Sequence, residues 1–321
     1  MELRQIRSLI ALVDHGFSVS RAAHALHLVQ PAVSQHLRSL ESELGTPLFR
    51  RNGKRLVGLT EAGGKVLEHA RGMLAEVADI VAIGRDYVEE GRGTLRIGTT
   101  HTQARYVLPA VLHRFSDAYP EVEVQILQGT PAQLVDMTLA DQVDLVICTE
   151  AIGDHSSLVS LPSYRWNRCL IALRGHPVLS RQPISLGVLC EYPMITYVFG
   201  FTGRRTLSSS FAKVGLRPKV VLSAVDTDII KTYVREGMGI GVIADLAFQP
   251  EHDSDLEARD LSHLFPWEVT KIAYAKDKYV RRFQRRFMDL FQQHADYLGR
   301  RVRVPDVSAG GPAVADRLFG D

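Results

Sequence analysis

The sequence predicts an α/β protein with a small, all-α winged helix-turn-helix head and a long connecting helix. Three observations predict this fold class: helical spacing of apolar residues at the start of the chain, a proline-free stretch at 61–90, and alternating strand-like and helix-like segments from Thr94 onward. At 321 residues the chain is too long for one ordinary domain. We expect a head at 1–60, a linker helix at 61–91, an α/β region at 92–301 and a flexible tail at 302–321.

The charge distribution sets the head apart from the rest of the chain. The net charge is only +2, but residues 1–60 carry eight basic and four acidic side chains, which favours contact with a polyanion. The first residues do not form a signal peptide, and no apolar run approaches the roughly eighteen residues of a membrane span. Three cysteines without CxxC spacing fit a reducing cytoplasm. We interpret them as buried structural thiols, with a redox-sensing pair as the alternative.

Two short helices are predicted to open the head. An apolar stripe from Leu3 to Val13 ends at Gly16, and Ser18 is a suitable N-cap for a second helix at 19–26. This second helix contains three alanines, whose small side chains allow another helix to cross closely, as a helix-turn-helix requires.

A third helix is predicted to read the bases of DNA. It opens at Gln30-Pro31, where proline suits a first helical turn, and it ends at Gly45. Spacing of four, three and four predicts its buried face: Val33, Leu37, Leu40 and Leu44. Polar donors and acceptors near its start, where a recognition helix meets base edges, form the predicted DNA contacts together with the first turn: Gln30, Pro31, Ser34, Gln35 and Arg38.

A basic hairpin is predicted after the third helix. Asn52-Gly53 between short strand-like runs is a hairpin signal, because a type I′ turn requires positive φ. Both arms carry basic side chains: Arg50, Arg51, Lys54 and Arg55. We predict that this wing contacts the DNA backbone or the minor groove beside the recognition helix.

The linker helix carries an apolar seam that a small head cannot bury. Apolar residues recur there every seven positions: Leu67, Leu74, Val81 and Val88. Such a repeat favours pairing with the same helix of a second copy. Packing against the same chain is the alternative.

The region beyond 92 alternates strands and helices, which predicts mainly parallel sheets with ligands at the carboxyl ends of strands. The predicted strands are 94–98, 122–128, 143–148, 170–173, 194–198, 220–222, 240–244 and 271–275, and the predicted helices are 104–119, 132–140, 205–215, 227–237 and 279–298. Three strand ends carry neutral donors: 99–103, 149–150 and 199–203. A fully deprotonated oxyanion needs donors only, so the pattern predicts an anion site where these segments converge.

Residues 1–64 resemble the head of LysR-type transcriptional regulators. The motifs are AAxxL, QPAVSxxLxxLExxLGxxLFxR and LTxAG at 59–63. The resemblance implies a regulator, not an enzyme, that binds double-stranded promoter DNA, contacts RNA polymerase and forms homodimers that assemble into homotetramers. It also implies a two-lobed, periplasmic-binding-protein-like effector domain with two crossing strands and one cleft. Val29 stands where the family usually has Ser or Thr, so we leave it out of the predicted DNA contacts.

Further motifs resemble the LysR subfamily that controls cysteine biosynthesis and sulfur assimilation. They are TTHTQARYVLP at 99–109, YRWNR at 164–168, YPMITYVFGFTGR at 192–204 and DIIKTYVREGMGIGVIA at 228–244. The resemblance implies no cofactor, and a cleft that binds sulfate or a sulfur-pathway metabolite such as thiosulfate, O-acetylserine or N-acetylserine. The effector-binding residues that it implies are Thr100, Thr102, Gln103, Thr149, Thr202 and Trp166.

The sequence disfavours several other functions and leaves one open. An enzyme is disfavoured because the chain has no GxSxG or HExxH motif, and the glycine-rich run at 237–241 precedes a predicted strand, whereas a dinucleotide loop follows one. A metal site at His101 finds no second ligand at matching spacing. A transport-type binding protein would carry a signal peptide. A LysR-type regulator with a carboxylate or aromatic effector from another pathway stays open.

Overall fold

A computed structural model describes residues 1–53, 55–88, 91–152, 155–199 and 203–301. The chain divides into two compact units, Met1–Glu90 and Gly91–Asp321. The predicted tail at 302–321 lies outside the described residues.

The first unit begins with three helices and a two-stranded hairpin. These elements are α1 (Leu3–Asp14), α2 (Val19–Ala25), α3 (Gln30–Leu44), β1 (Phe49–Asn52) and β2 (Arg55–Leu59). The Ser18 hydroxyl caps α2 by accepting a 3.4 Å hydrogen bond from the Arg21 amide, whereas Val29 gives α3 no side-chain cap. Gly45 ends α3 with φ of +64°, a left-handed conformation that glycine adopts without strain.

The core of the first unit follows the predicted helical stripes, with one exception. Val33, Leu37 and Leu40 of α3 are buried together with α1, but Leu44 is 40% exposed. Leu44 belongs to the last turn of α3, which extends past the helices that cover the other three side chains. The buried Ser8 hydroxyl also lies 2.9 Å from His36 Nδ1, which fixes α1 against α3.

The hairpin is present, but its turn lies one residue later than the sequence predicts. Asn52 pairs with Arg55, and Gly53 between them has φ of +60°. Asn52 is therefore the last residue of β1 and not a turn residue. The strand continues because Asn52 can still pair across the ladder, while Gly53 adopts positive φ without strain.

A single long helix, α4 (Glu61–Val88), completes the first unit. Ala70 near its start is buried, and Leu67 and Leu74 pack partly against the head core. The later half exposes large apolar side chains, with Val81 49% and Val88 84% exposed. This part of the predicted seam therefore has an uncovered apolar face in one copy of the chain.

The second unit consists of two α/β lobes, each with a five-stranded sheet. The first sheet has the order β4-β3-β5-β12-β6 and the second β11-β7-β10-β8-β9. The strands are β3 (Gly93–Thr99), β4 (Val122–Gln128), β5 (Leu145–Cys148), β6 (Leu158–Trp166), β7 (Arg168–Leu173), β8 (Met194–Tyr197), β9 (Val220–Ala224), β10 (Ile240–Ala244), β11 (Leu256–Asp260) and β12 (Glu268–Ala275). The helices are α5 (His101–Tyr106), α6 (Leu108–Ala118), α7 (Pro131–Leu139), α8 (Leu186–Cys190), α9 (Arg204–Lys213), α10 (Thr227–Arg235) and α11 (Arg282–Arg301).

The two lobes are joined by two crossings of the chain. One runs from β6 through Asn167 into β7, and the other runs from β11 to β12. Asn167 is buried, and its Nδ2 donates a 3.0 Å hydrogen bond to the carbonyl oxygen of Phe265 on the other crossing. The predicted two-lobed fold class with a winged head is thereby confirmed.

Details of the second unit differ from the sequence expectations. Each sheet mixes parallel and antiparallel pairs, because the strands at the crossings return in the opposite direction. The helix predicted at 104–119 begins at His101 and breaks at Val107, where a second helix starts with Pro109 in its first turn. The strands β6 and β11 were not predicted. Cys148 and Cys169 are buried as expected, whereas Cys190 is only partly buried.

Candidate functional site

The first candidate site lies where α5 follows β3 in the first lobe. Thr100, Thr102 and Gln103 are buried here, with exposed fractions of 6%, 2% and 3%. Thr100 occupies the N-cap position of α5, but its side chain does not cap the helix. The end of β3 therefore places two hydroxyls and one amide in the interior of the second unit, close to the crossings between the lobes.

A chain of hydrogen bonds joins three of the predicted effector residues. Gln103 Nε2 donates to the Thr270 hydroxyl at 3.5 Å, and the Thr270 and Thr149 hydroxyls lie 3.2 Å apart. The indole Nε1 of Trp166 donates to the Thr149 hydroxyl at 3.1 Å. The Tyr164 hydroxyl donates to Gln103 Oε1, and burial raises the pKa of Tyr164. Segments far apart in the sequence thus converge on one polar network.

Thr102 is the buried polar group that this network does not satisfy. Within the part of the chain that the structure describes, its hydroxyl has no partner in hydrogen-bonding geometry. The phenol of Tyr197, in the second lobe, lies near the Thr102 hydroxyl. Burial raises the pKa of Tyr197 to about 12. Tyr197 already bonds the Thr227 hydroxyl at 2.6 Å and accepts from the Ala244 amide at 3.3 Å. A buried unsatisfied hydroxyl costs roughly 1–3 kcal/mol, so the site favours a ligand acceptor.

Arg168 places a positive charge next to this polar network. Its guanidinium lies between the rings of Trp166 and Phe265, 5.4 and 5.3 Å from their centroids. Nη2 donates to the Gly203 carbonyl at 2.7 Å and to Glu268 at 2.9 Å, while Nη1 is buried without a partner among the described residues. Arg168 is therefore neutralised in part by Glu268 but keeps one donor free.

A carboxyl group borders the network at Glu150. Burial, followed by the nearby charge of Glu268, raises its pKa above the ordinary value. The surroundings of Glu150 therefore disfavour its charged form relative to that of an exposed glutamate.

Contacts between the lobes close one side of this region. Asp228, in the first turn of α10, accepts from the Tyr106 hydroxyl at 2.6 Å and from Arg105 Nε at 3.2 Å. His101 Nε2 lies 3.9 Å from the same carboxylate. His101 thus faces the second lobe, and it contacts an acid rather than a set of metal ligands.

The sequence reasoning missed three residues of the network. Thr270 was overlooked because the last predicted strand was started at Lys271, one residue too late. Tyr164 and Arg168 lay in a motif that was noticed, but the strand β6 that orients them was not predicted. Thr202, by contrast, was predicted and lies outside the described residues.

The second candidate site is the exposed face of α3. Gln30, Pro31, Gln35 and Arg38 are exposed, and Ser34 is partly exposed. Their mutual contacts are loose: Arg38 Nη2 lies 3.4 Å from Gln35 Oε1, and Gln35 Nε2 lies 3.3 Å from the Ser39 hydroxyl. The Ser20 hydroxyl of α2 donates to Gln30 Oε1 at 3.2 Å. These polar groups remain accessible to base edges.

The wing presents its basic side chains unequally. Arg55 is exposed, and Arg50 lies against the backbone of Gly58. Arg51 forms a 2.8 Å ion pair with Glu41, which also accepts from the Leu48 amide at 2.9 Å. Arg51 therefore helps to hold the wing on α3 as well as adding charge to it. Lys54 lies outside the described residues.

The described part of the chain offers no side-chain cluster for a metal ion and no helix for a membrane. Its His, Cys, Asp and Glu side chains form no group of three that could hold a metal ion. Its helices are all too short or too polar to cross a membrane.

Family models match most of the chain. Residues 3–64 match the model described as the bacterial regulatory helix-turn-helix protein, lysR family, and residues 89–296 match the LysR substrate binding domain.

Similar curated proteins are transcriptional regulators. The HTH-type transcriptional regulator CysB of Burkholderia cenocepacia is 44% identical over 88% of this chain and 90% of its own length. CysB of Haemophilus influenzae is 41% identical over 92% and 91%. The regulator SsuR of Burkholderia cenocepacia is 38% identical over 92% and 96%.

Solved structures agree with the fold. The cofactor-binding domain of the Cbl transcriptional regulator is 34% identical, with a TM-score of 0.61, over 66% of this chain and 94% of that one. Full-length CbnR in complex with its target DNA is 20% identical, with a TM-score of 0.57, over 92% and 100%. At this identity the second likeness concerns the fold alone.

Proposed function

The chain belongs to the LysR family of bacterial transcriptional regulators, and from this premise we propose that it controls sulfur-assimilation and cysteine-biosynthesis genes in response to a small sulfur-related anion or acetylserine-type effector. Its relatives carry the names CysB, SsuR and Cbl, and three of the residues that suggested an oxyanion site, Gln103, Thr149 and Trp166, lie in one polar network. The protein acts by binding, in the cytoplasm, with no catalytic step and no cofactor.

One observation carries the effector proposal: among the described residues the buried Thr102 hydroxyl has no partner in good hydrogen-bonding geometry, although the Tyr197 phenol of the second lobe is close enough for the Thr102 hydroxyl to lower its pKa. A sulfate or carboxylate oxygen would accept from the Thr102 hydroxyl and from the neighbouring Thr100. The Thr149 hydroxyl, which is held by Trp166 and Thr270, faces the same network. We assign the effector-binding role to Thr100, Thr102, Gln103, Thr149, Thr202 and Trp166. Neutral donors of this kind suit a fully deprotonated oxyanion.

The head is assigned to promoter DNA. The exposed polar face of α3 reads base edges in the major groove, and the basic wing contacts phosphates beside it. The assigned residues are Gln30, Pro31, Ser34, Gln35, Arg38, Arg50, Arg51, Lys54 and Arg55. RNA polymerase is the further partner of a regulator bound at a promoter.

The exposed half of α4 is assigned to pairing between copies. Val81 and Val88 continue a seven-residue repeat and are largely exposed in one chain. Covering them with the same helix of a second copy would bury that seam and place two heads on a two-fold-related DNA site. We propose homodimers that associate into homotetramers, with 1–60 as head, 61–91 as linker, 92–301 as effector domain and 302–321 as tail.

The mechanism is a coupling between binding events. An effector that contacts both lobes favours one angle between them, and the change is passed to the DNA heads of the assembly. Such coupling is typically worth about 1–3 kcal/mol, and it is reciprocal, so DNA alters effector affinity by the same factor.

Titration of the full-length protein with candidate effectors tests this function. We expect sulfate, thiosulfate or O-acetylserine to bind by calorimetry and benzoate not to bind. Promoter fragments of sulfur-assimilation genes should then bind more tightly than coding-sequence fragments, with an affinity that the effector changes. Binding of benzoate alone would assign the chain to another pathway.

A further inference from the structure

A cavity lies in the second lobe, along α9 and the edge strand β9. Its volume is about 360 Å³, within the range of small-molecule sites. The residues that form it come from one face of α9 and from the segment leading into β9, and they include Arg204, Ser208, Phe211, Leu216, Arg217 and Val220. None of these residues belongs to the polar network of the effector site.

The polar group of this cavity is a buried guanidinium without a counter-charge. Arg204 is only 8% exposed, and its Nε and Nη1 have no hydrogen-bond partner among the described residues. The guanidinium carbon of Arg204 lies 5.1 Å from the centroid of the Phe199 ring. Burial lowers the pKa of Arg204, and no acidic side chain among the described residues offsets this. Since burying an unpaired charge is costly, the position calls for an anion.

The other described lining residues define the shape of that anion. Phe211 forms an apolar wall together with Leu216 and Val220, and Phe211 is 1% exposed. The Ser208 side chain lies one helical turn after Arg204, and the exposed Arg217 adds a second positive charge. These described lining residues include no acid. One guanidinium beside an apolar wall suits a bidentate carboxylate that carries a short apolar group.

We propose that this cavity is a second ligand site, which binds a small carboxylate with a short apolar chain independently of the effector site between the lobes. The carboxylate pairs with the Arg204 guanidinium, and its chain lies against Phe211. The chain thus has two places for small anions of different chemistry: one built from hydroxyls and one built from arginine and apolar side chains.

Calorimetry on the full-length protein with butyrate tests this proposal, and butyramide serves as the neutral isostere. We expect butyrate to bind and butyramide not to bind. Arg204→Gln should weaken butyrate binding by about tenfold or more, because the charge-assisted pair is lost. Lys213→Gln removes an exposed charge from the same helix and should leave the affinity unchanged.

Two further variants distinguish the cavity from the effector site. Ala212→Trp fills the cavity from an exposed position while keeping Arg204, so it should also abolish butyrate binding even if Arg204→Gln destabilises the lobe. Thr149→Val should leave butyrate binding intact. Equal affinity in wild type, Arg204→Gln and Ala212→Trp would overturn the proposal, as would loss of butyrate binding in Thr149→Val.

Discussion

The Tyr106 hydroxyl of the first lobe donates a 2.6 Å hydrogen bond to the Asp228 carboxylate of the second lobe. Burial alone would raise the pKa of Asp228, but this bond and the charge of Arg105 hold the pKa below its ordinary value. The contact therefore favours the arrangement of lobes in which the effector residues converge.

Removing that hydroxyl should loosen the lobes. We expect Tyr106→Phe to lower the free energy of unfolding by about 1 kcal/mol and to weaken effector binding several-fold, since a hydrogen bond to a charged group is lost. Denaturant titration and calorimetry measure the two effects. Tyr119→Phe is the matched control, because Tyr119 packs on Phe115 in the first lobe alone. Unchanged effector affinity in Tyr106→Phe would show that the contact does not support the binding arrangement.

Thr149→Val should abolish the response to effector while DNA binding remains. The change removes the hydroxyl that accepts from Trp166 and leaves its indole N–H unsatisfied, which costs about 1–3 kcal/mol of stability. Thr138→Val is the matched control, because its hydroxyl bonds only the Leu134 carbonyl within α7. Calorimetry with sulfate and thiosulfate reports the effect. A Thr149→Val protein that titrates like Thr138→Val would show that the effector binds elsewhere.

Arg38→Ala should weaken binding to specific DNA. Arg38 is exposed on α3 and is held only by a 3.4 Å contact with Gln35, so it is available to a base or a phosphate. The expected loss is about 1–3 kcal/mol, measured by fluorescence anisotropy at one fixed salt concentration. Arg7→Ala removes an exposed charge from α1 of the same head and serves as control. If the two variants bind equally well, Arg38 is not a DNA contact.

Asp245 should make stability depend on pH. Burial raises its pKa from 3.8 to about 6. A group with a raised folded-state pKa contributes stability below its ordinary pKa, and that contribution is lost as pH rises through about 6. Asp245→Asn should therefore be more stable than wild type at pH 7.5, by about 1–3 kcal/mol, and equal to it near pH 4.

Urea unfolding between pH 4 and 8 measures this difference. Asp117→Asn, at an exposed position, is the control and should follow the wild-type curve. The side-chain oxygen of asparagine can still accept from the Leu246 amide, as Asp245 does at 2.8 Å. A constant difference between Asp245→Asn and wild type at every pH would exclude titration of Asp245.

Local sequence patterns predicted the elements of the helical head more accurately than those of the effector domain. The spacing of Val33, Leu37 and Leu40 was sufficient because helix packing repeats every few residues. Leu44 failed the same pattern because spacing does not reveal where the covering helices end. The Asn52-Gly53 signal located the hairpin to within one residue, since two adjacent residues both favour turns.

The contacts of the predicted effector site could not be predicted from the sequence, because they join residues that are far apart along the chain. Thr270 is separated from Gln103 by 167 residues, so no local pattern links their side chains. The strand β6 was missed because Pro162 interrupts it and its inward and outward positions do not alternate regularly, so the orientation of Tyr164 was missed as well. The sequence also could not reveal that Arg204 is buried with two guanidinium nitrogens that have no partner among the described residues, because burial depends on the folded chain.

The hydrogen bond from Asn167 to Phe265 ties one interlobe crossing to the other. Two tethers that could twist separately would let the lobes sway in several directions. Because this hydrogen bond joins the two tethers to each other, we expect them to move together as one hinge and the lobes to rotate mainly about it. A ligand bound between the lobes would then change one quantity, the angle between the two lobes.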